Sequence, residues 1–337
     1  MTIEEPRITL AHGNGGRRMR ELIEQVFARH LAHPALDVGA DAAVIALEPG
    51  ATVMITTDAF TVQPLEFPGG DIGSLAVHGT INDLAVCGAQ PRYLTLNVII
   101  EEGLELAVLD RVVRSLGEAS RAAGTPVVAG DTKVVPRGQG GGLYLATTGV
   151  GVRGRDVALG MERIRDGDAV LVSGPVGDHG VAVLLAREAF ELSGSVQSDS
   201  APVTALALPL AGLDGVRFMR DPTRGGLATV AHEIAAATGM DVRLCEALVP
   251  VRDPVRAVCE ILGFDPYFLA CEGRVVAVVA PEAADPVLGL WRGLPGGELA
   301  SRIGVVAHGR GRVVLETAIG GERQIDPLDD DPLPRIC

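Results

Sequence analysis

The sequence has 337 residues and a mass of 35.0 kDa, more than one hydrophobic core usually serves, so two domains are expected. Its 29 basic and 43 acidic side chains leave a formal charge of −14, and only 3% of residues are aromatic, which argues against a protein that grips nucleic acid by phosphate contacts or base stacking. Five cysteines without a C-x-x-C pair signal neither a disulfide framework nor a zinc ribbon. The acidic start, with no long apolar window anywhere, predicts a cytoplasmic chain without signal peptide or membrane span.

In chain order, His12-Gly13-Asn14-Gly15-Gly16 reads as a glycine-rich turn. Met19, Leu22, Ile23, Val26 and Phe27 are spaced for a helix over 17–30. An apolar strand over 53–57 runs into Asp58. A helix is predicted over 71–87, with Asp71 near its N-terminus, then a strand over 93–100 and an amphipathic helix over 104–123. A strand over 126–129 ends in Gly130-Asp131, and another spans 143–152. The second part opens with a buried strand at 169–172, the loop Ser173–Gly180 and a helix over 181–190. The loop Asp221–Gly226 precedes a helix over 227–238, and strands are predicted at 274–280 and 304–307. From Gly320 the pattern changes: Pro327, Pro332, Pro334 and the acids Asp329–Asp331 predict an extended, poorly packed tail. Such a tail could reach on the order of 55 Å, enough to fold back onto the protein or swing to a partner.

Three features carry chemistry. The first is that the chain holds 28 arginines and one lysine, Lys133. A lone lysine suggests a site that needs a compact ammonium or a proton that can leave; the bland alternative is a charge pair with Asp131 in a loop. The second is a set of carboxylates at the ends of apolar runs, Asp41, Asp58 and Asp131, together with Asp83 inside an apolar helix. Buried carboxylates need compensation, either from arginines or from a hard cation such as Mg²⁺, and as a group these favour the cation. The third is three glycine loops ahead of helices, at Gly13–Gly16, Gly174–Gly180 and Arg224-Gly225-Gly226. These could present N–H groups to phosphate, although none is a P-loop or a Rossmann fingerprint.

The runs Thr56-Thr57-Asp58-Ala59-Phe60, Phe67-Pro68-Gly69-Gly70-Asp71, Gly79-Thr80-Ile81-Asn82-Asp83-Leu84-Ala85 and Gly130-Asp131-Thr132-Lys133 resemble the PurM-type ATP-binding superfamily. With Ser173–Gly180, Met219–Thr229 and the terminal Pro334-Arg335-Ile336-Cys337, the resemblance is strongest to its hydrogenase-maturation branch, the HypE family, and spans essentially the whole chain. It implies an α+β fold of two domains, 1–155 and 156–319, with the first pairing in a homodimer to form a shared β-barrel. The second would be α/β, and a flexible tail, 320–337, would carry the reactive cysteine.

The implied activity is ATP-dependent dehydration of a carbamoyl group on the Cys337 thiol to a thiocyanate. That product would supply the cyanide ligand of the [NiFe] hydrogenase iron. The implied partners are the carbamoyltransferase HypF and a HypC–HypD iron scaffold. The resemblance also implies ATP held at Gly13, Gly15, Gly16, Asp58, Asp83, Asp131, Lys133 and Arg224. Mg²⁺ would be held by Asp41, Asp58, Asp83, Asp131 and Asp221, with Cys337, Lys133 and the base Glu272 as catalytic groups. For Glu272 an ion pair with Arg274 is the alternative. For His12 and His179 a phosphate contact and a structural role stay open. Two other functions are compatible with the sequence: a small-molecule kinase or synthetase of the same superfamily, and a non-catalytic thiol carrier.

Overall fold

The computed structural model describes residues 7–14, 16–38, 42–187, 195–328 and 336–337. Gly15 and Asp41, both expected at the site, lie outside the described residues, as does the stretch of the tail at 329–335. The chain begins with a 3₁₀ turn, Leu10–Gly13, and a helical run in three pieces: α1 (Arg17–Leu22), a π-helical stretch (Ile23–Ala28) and α2 (Arg29–Leu31). Strand β1 (Thr52–Phe60) follows, then a two-residue ribbon of β2 (Glu66–Phe67) and β3 (Gly70–Asp71), then α3 (Ile72–Val86). Next come β4 (Ala89–Glu101), α4 (Leu106–Ala122), β5 (Val127–Val135) and β6 (Leu143–Arg153).

The four long strands form one sheet in the order β1-β6-β4-β5, antiparallel except for β4 and β5. Alternation along the strands gives the sheet two unlike faces. Leu94, Leu96, Val98 and Ile100 on β4 are buried under α3 and α4, whereas Val53 and Ile55 on β1 and Ile99 on β4 lie on the bare side. Asp131 and Lys133, expected in a loop after a strand, lie inside β5, because Val134 and Val135 continue the β-branched run past the glycine. Their register beside Asn97 and Ile99 puts both on the bare face.

The second half contains β7 (Ala169–Val172), α5 (Asp178–Ala186), α6 (Thr204–Ala211), β8 (Val216–Arg220), α7 (Gly226–Thr238), β9 (Asp241–Cys245) and α8 (Asp253–Leu262). It continues with β10 (Val276–Val279), α9 (Ala284–Arg292), β11 (Ser301–Ala307), β12 (Val313–Glu316) and β13 (Glu322–Ile325). Its seven strands are ordered β13-β12-β9-β11-β7-β10-β8. Strand β13 corrects the reading of everything after Gly320 as poorly packed tail: Gly320, at φ 85°, turns the chain so that 322–325 pairs antiparallel with β12 and buries Ile325. The end of the sequence is also packed, with Ile336 only 3% exposed in the same apolar cluster as Val181 to Leu185 of α5 and the core under the first sheet. No helix among the described residues is long and apolar enough to cross a membrane, and no disulfide joins any two cysteines.

Helix α3 is the spine of the first half. Asp71 caps it, accepting from the N–H groups of Gly73 (2.7 Å) and Ser74 (3.0 Å). Glycine at 73 lets α3 meet α4, since a Cβ there would stand 2.3 Å from the carbonyl oxygen of Val112. Gly73→Ala is therefore expected to cost about 1–3 kcal/mol by overpacking, seen as a lower thermal unfolding midpoint with no change in oligomeric state.

Candidate active site

The site forms where the C-terminal end of β1, the face of α3, the loop after β8 and the turn before β10 meet. Thr56 and Asp58 share the helix-covered face of β1, and the Thr56 hydroxyl donates to Asp83 on α3 at 2.7 Å. Asp221 stands just after β8. Arg224, largely exposed, lies 3.8 Å from Asp58. Glu272 is 2% exposed, with Oε1 lacking a hydrogen-bond partner. Burial raises the carboxyl pKa of Asp58 and Asp83; it raises Asp221 to about 7, with Asp83 adding to the shift; and it holds Glu272 well above the carboxylate range, with Asp221 next in effect. Of the residues singled out in the sequence, the fold thus brings together Asp58, Asp83, Asp221, Glu272 and Arg224.

Asp131 and Lys133 are not part of this cluster within one chain. Phe60 of β1 is level with Leu145, Val98 and Thr132 across the sheet, so the β1 and β5 edges lie three strand spacings, about 14 Å, apart. Asp131 also faces the bare side, whereas Asp58 faces α3. Instead Asp131 pairs with Lys133 at 2.9 Å, an exposed bridge whose hydrogen bond lowers the Asp131 pKa. The first glycine turn packs here too: a Cβ on Gly13 would meet the Val134 nitrogen at 2.8 Å, so glycine permits close approach to β5. Beside it lies a cavity of about 160 Å³ lined by Met19, Ile23, Phe27, Val98, Val128 and Asp131, among others. Gly16 caps α1 and has open space around its Cβ position.

Among the described residues no three Asp, Glu, His or Cys side chains converge closely enough to hold a metal ion as they stand. The donor set nevertheless suits a hard cation. Asp58, Asp83 and Asp221 are oxygen ligands whose raised pKa values reflect burial first, with repulsion from Asp83 adding at Asp58 and Asp221.

Glu272 has no ion pair with Arg274, whose guanidinium instead bridges Asp178 (3.6 Å) and Asp199 (3.3 Å) and bonds the Pro175 carbonyl (2.9 Å). The Ser173–Gly180 loop is buried, and its helix start already carries Asp178, paired with Arg252 at 3.0 Å, so this loop is not open to phosphate. His12 serves locally, its Nδ1 meeting the Thr9 N–H at 3.1 Å. His179 meets the end of the sequence: its Nε2 lies 2.7 Å from the Ile336 carbonyl oxygen. The Cys337 carbonyl accepts from the N–H (3.0 Å) and hydroxyl (3.2 Å) of Thr61.

Sequence reasoning missed Asn82 and Thr61. Asn82 is buried and joins α3 to the second half, donating to the carbonyls of Ala201 (3.0 Å) and Glu272 (3.1 Å) and accepting from Val203 N–H (2.8 Å). A polar side chain at a buried helix position, one residue before Asp83, was its only signal.

The charge cluster makes a stability prediction. The folded Asp221 pKa lies above the unfolded value of about 3.9, so the folded protein keeps a proton that the unfolded chain releases between about pH 4 and 7. Stability from this group therefore falls as pH rises through that window. Asp221→Asn should unfold at a higher temperature than the parent at pH 8, with the gap narrowing toward pH 4 in thermal scans at both values.

Two family models match: AIR synthase related protein, N-terminal domain, over residues 39–153, and its C-terminal domain over 165–316. The chain is 48% identical over 339 residues to carbamoyl dehydratase HypE of Cupriavidus necator, covering 100% of this chain and 97% of that protein. It superposes on the crystal structure of hydrogenase maturation protein HypE in complex with ATP at a TM-score of 0.92 and 45% identity, covering 97% of this chain and 99% of the other. A chain of the crystal structure of a HypE–HypF complex matches at a TM-score of 0.79 and 40% identity, over 90% of this chain and 99% of that one. With a two-domain α and β architecture, a cleft of buried carboxylates and relatedness along its whole length, the chain belongs to the HypE carbamoyl dehydratase family of AIR synthase related proteins.

Proposed function

We propose that the protein is an ATP-dependent carbamoyl dehydratase working in the cytoplasm on its own Cys337, to supply the cyanide ligand of a [NiFe] hydrogenase iron. Residues 1–155 and 156–319 are its two domains. The observation that carries this reading is that residues 336–337 are seated on Thr61, at the end of the strand bearing Asp58, and on His179, in a protein whose carboxylate cluster includes Glu272, buried with no hydrogen-bond partner on Oε1. A small-molecule kinase would have no use for a seated cysteine segment.

The chemistry follows from the groups present. HypF loads a carbamoyl group on the Cys337 sulfur. The amide oxygen is a poor leaving group until it takes the γ-phosphoryl of ATP. One N–H proton leaves with that step, and loss of the second with the phosphate forms the C≡N bond, so the oxygen departs on phosphate and ADP remains. Glu272, held at a raised pKa, suits proton abstraction near neutral pH once a bound cation lowers the repulsion around it. Asp58, Asp83 and Asp221 would hold Mg²⁺, which neutralises phosphate charge during transfer. Arg224 over Asp58 adds a mobile cation for phosphate. The cavity beside Asp131 offers apolar side chains, Met19, Ile23 and Phe27, against which a nucleotide's base would pack. The completed thiocyanate passes to a HypC–HypD scaffold.

The protein acts as a homodimer. The bare face bearing Val53, Ile55 and Ile99 is apolar surface that a second copy's sheet would cover, closing a shared barrel. Edge-to-edge closure sets β5 of one copy beside β1 of the other, which is how Asp131 and Lys133 would reach the Asp58, Asp83 and Asp221 cluster.

Two experiments test the reading. With ATP, Mg²⁺, carbamoyl phosphate and HypF, mass spectrometry of the C-terminal peptide should show carbamoylation and then loss of water. Cys337→Ala should bind ATP yet accept no carbamoyl group, and carbamoylation persisting at Cys87, Cys245, Cys259 or Cys271 would refute it. Lys133→Arg keeps the charge but not the compact, proton-losing head. It should still be carbamoylated, while water loss slows by about tenfold or more, equal to about 1.4 kcal/mol per tenfold. Water loss at the parent rate would reduce Lys133 to a bystander.

A further inference from the structure

Ile336 and Cys337 are gripped through their main chain from two sides. From the first half of the protein, Thr61 donates both its N–H and its hydroxyl to the Cys337 carbonyl. From the second half, His179 meets the Ile336 carbonyl at 2.7 Å, and the Ile336 side chain is buried. A carbonyl oxygen only accepts, so Nε2 carries the proton. A neutral ring then leaves Nδ1 as an acceptor, and Ser198 Oγ lies 2.8 Å from it. Ser198 Oγ accepts from the Ser200 N–H at 3.0 Å, which leaves its own proton for His179. Burial lowers the His179 pKa and so keeps the ring neutral. The ring plane is set by an edge contact with Phe67, centroids 5.4 Å apart at 87°. The Ser198 N–H in turn donates to the Pro68 carbonyl at 2.8 Å, and glycine at 69 permits this approach, since a Cβ there would meet Ser198 at 2.8 Å.

We propose that His179, oriented by Ser198 and Phe67, and Thr61 together form a clamp that positions residue 337 for the dehydration step. His179 and Thr61 are positioning residues: each holds main chain, one on either side of the Cys337 Cα. Because the two grips come from different halves of the protein, residue 337 is fixed between them, with Thr61 on the same strand end as Asp58. Holding a reacting group at one place is where most of the rate gain of such a transfer arises. This assignment rests on Cys337 being the carrier, but the clamp itself can be measured without that chemistry.

The measurement is the rate at which iodoacetamide alkylates Cys337 in the full-length protein, read by mass spectrometry of the C-terminal peptide. Buried Cys259 and Cys271 serve as internal controls for unfolding. Thr61→Val and Ser198→Ala each remove about one hydrogen bond from the clamp and should speed labelling by roughly fivefold. His179→Ala should speed it most, and His179→Gln, whose amide keeps an N–H for the Ile336 carbonyl, should fall between His179→Ala and the parent. In single turnover from the pre-carbamoylated protein, water loss should slow in the same rank order, with ATP affinity unchanged. Labelling of Thr61→Val and Ser198→Ala at the parent rate, with Cys259 and Cys271 still protected, would overturn the clamp. Faster labelling with water loss at the parent rate would overturn its positioning role. A parent protein that loses no water would instead refute the proposed dehydration, and the labelling rates would still decide the clamp.

Discussion

The structure turns on an excess of buried negative charge at the seam between its two sheets. Asp58, Asp83, Asp221 and Glu272 come together where burial already disfavours ionisation, and Asp58, Asp83 and Asp221 each raise the pKa of Glu272 further. Among the described residues Arg220 and Arg224 stand near enough to offset them, and Arg224 is mostly in solvent. Left ionised and unpaired, such groups cost several kcal/mol. The free protein meets this constraint by retaining protons. A hard cation would meet it differently, by releasing them, and would also make the seam hospitable to a polyphosphate that it otherwise repels.

A second acidic group nearby shows the contrast. Asp178 and Asp199 are as deeply buried, but Arg274 lies against both and Arg252 adds a second cation to Asp178. Arg274 also bonds the Pro175 carbonyl, and its guanidinium packs where a Cβ on Gly174 would stand, at 3.2 Å. That pairing ties the start of α5 to the turn carrying Glu272, although burial and the neighbouring Asp199 still push the Asp178 carboxyl up to about 6. The two groups of acids therefore differ in how closely arginine stands against them: Arg274 and Arg252 lie within 3.0–3.6 Å of Asp178 and Asp199, whereas Arg224 approaches Asp58 only to 3.8 Å.

The fold keeps the carboxylates close by bringing backbone unusually near backbone. Gly79 lets α3 lie on Phe60, whose ring would sit 2.9 Å from a Cβ there, and this sets Asp83 over Asp58. Gly226, at φ 58°, lets the start of α7 approach the carbonyls of Tyr267 and Leu269, which brings the Asp221 loop against the Glu272 turn. Asn82 then joins α3 to that turn through two carbonyls. The seam is thus assembled from helix, loop and turn by close approach and one buried amide, and the cost of the crowded charge is carried by apolar packing on both sides.

Local pattern in the sequence was enough to determine much of this protein. The 71–87 helix, its Asp71 cap and the strand at 169–172 follow from side-chain period and capping chemistry, which act over a few residues. The candidates Asp58, Asp83, Asp221, Glu272 and Arg224 were likewise legible, because a carboxylate at the end of an apolar run or a glycine pair before a helix is a local signal. Other facts required the chain to close on itself. The extension of β5 through Lys133 depends on pairing with β4, and the strand at 322–325 on pairing with β12. Both are non-local hydrogen bonds that leave little trace in composition. Sheet order and face, which no stretch of residues encodes alone, separate Asp131 from Asp58. Thr61, Asn82 and His179 matter because residues 276, 190 and 157 positions away reach them. The sequence alone determined which chemical groups were on offer and on what local element each sits. Which of them share a site was decided by tertiary structure, because strand pairing and burial join residues that are remote along the chain.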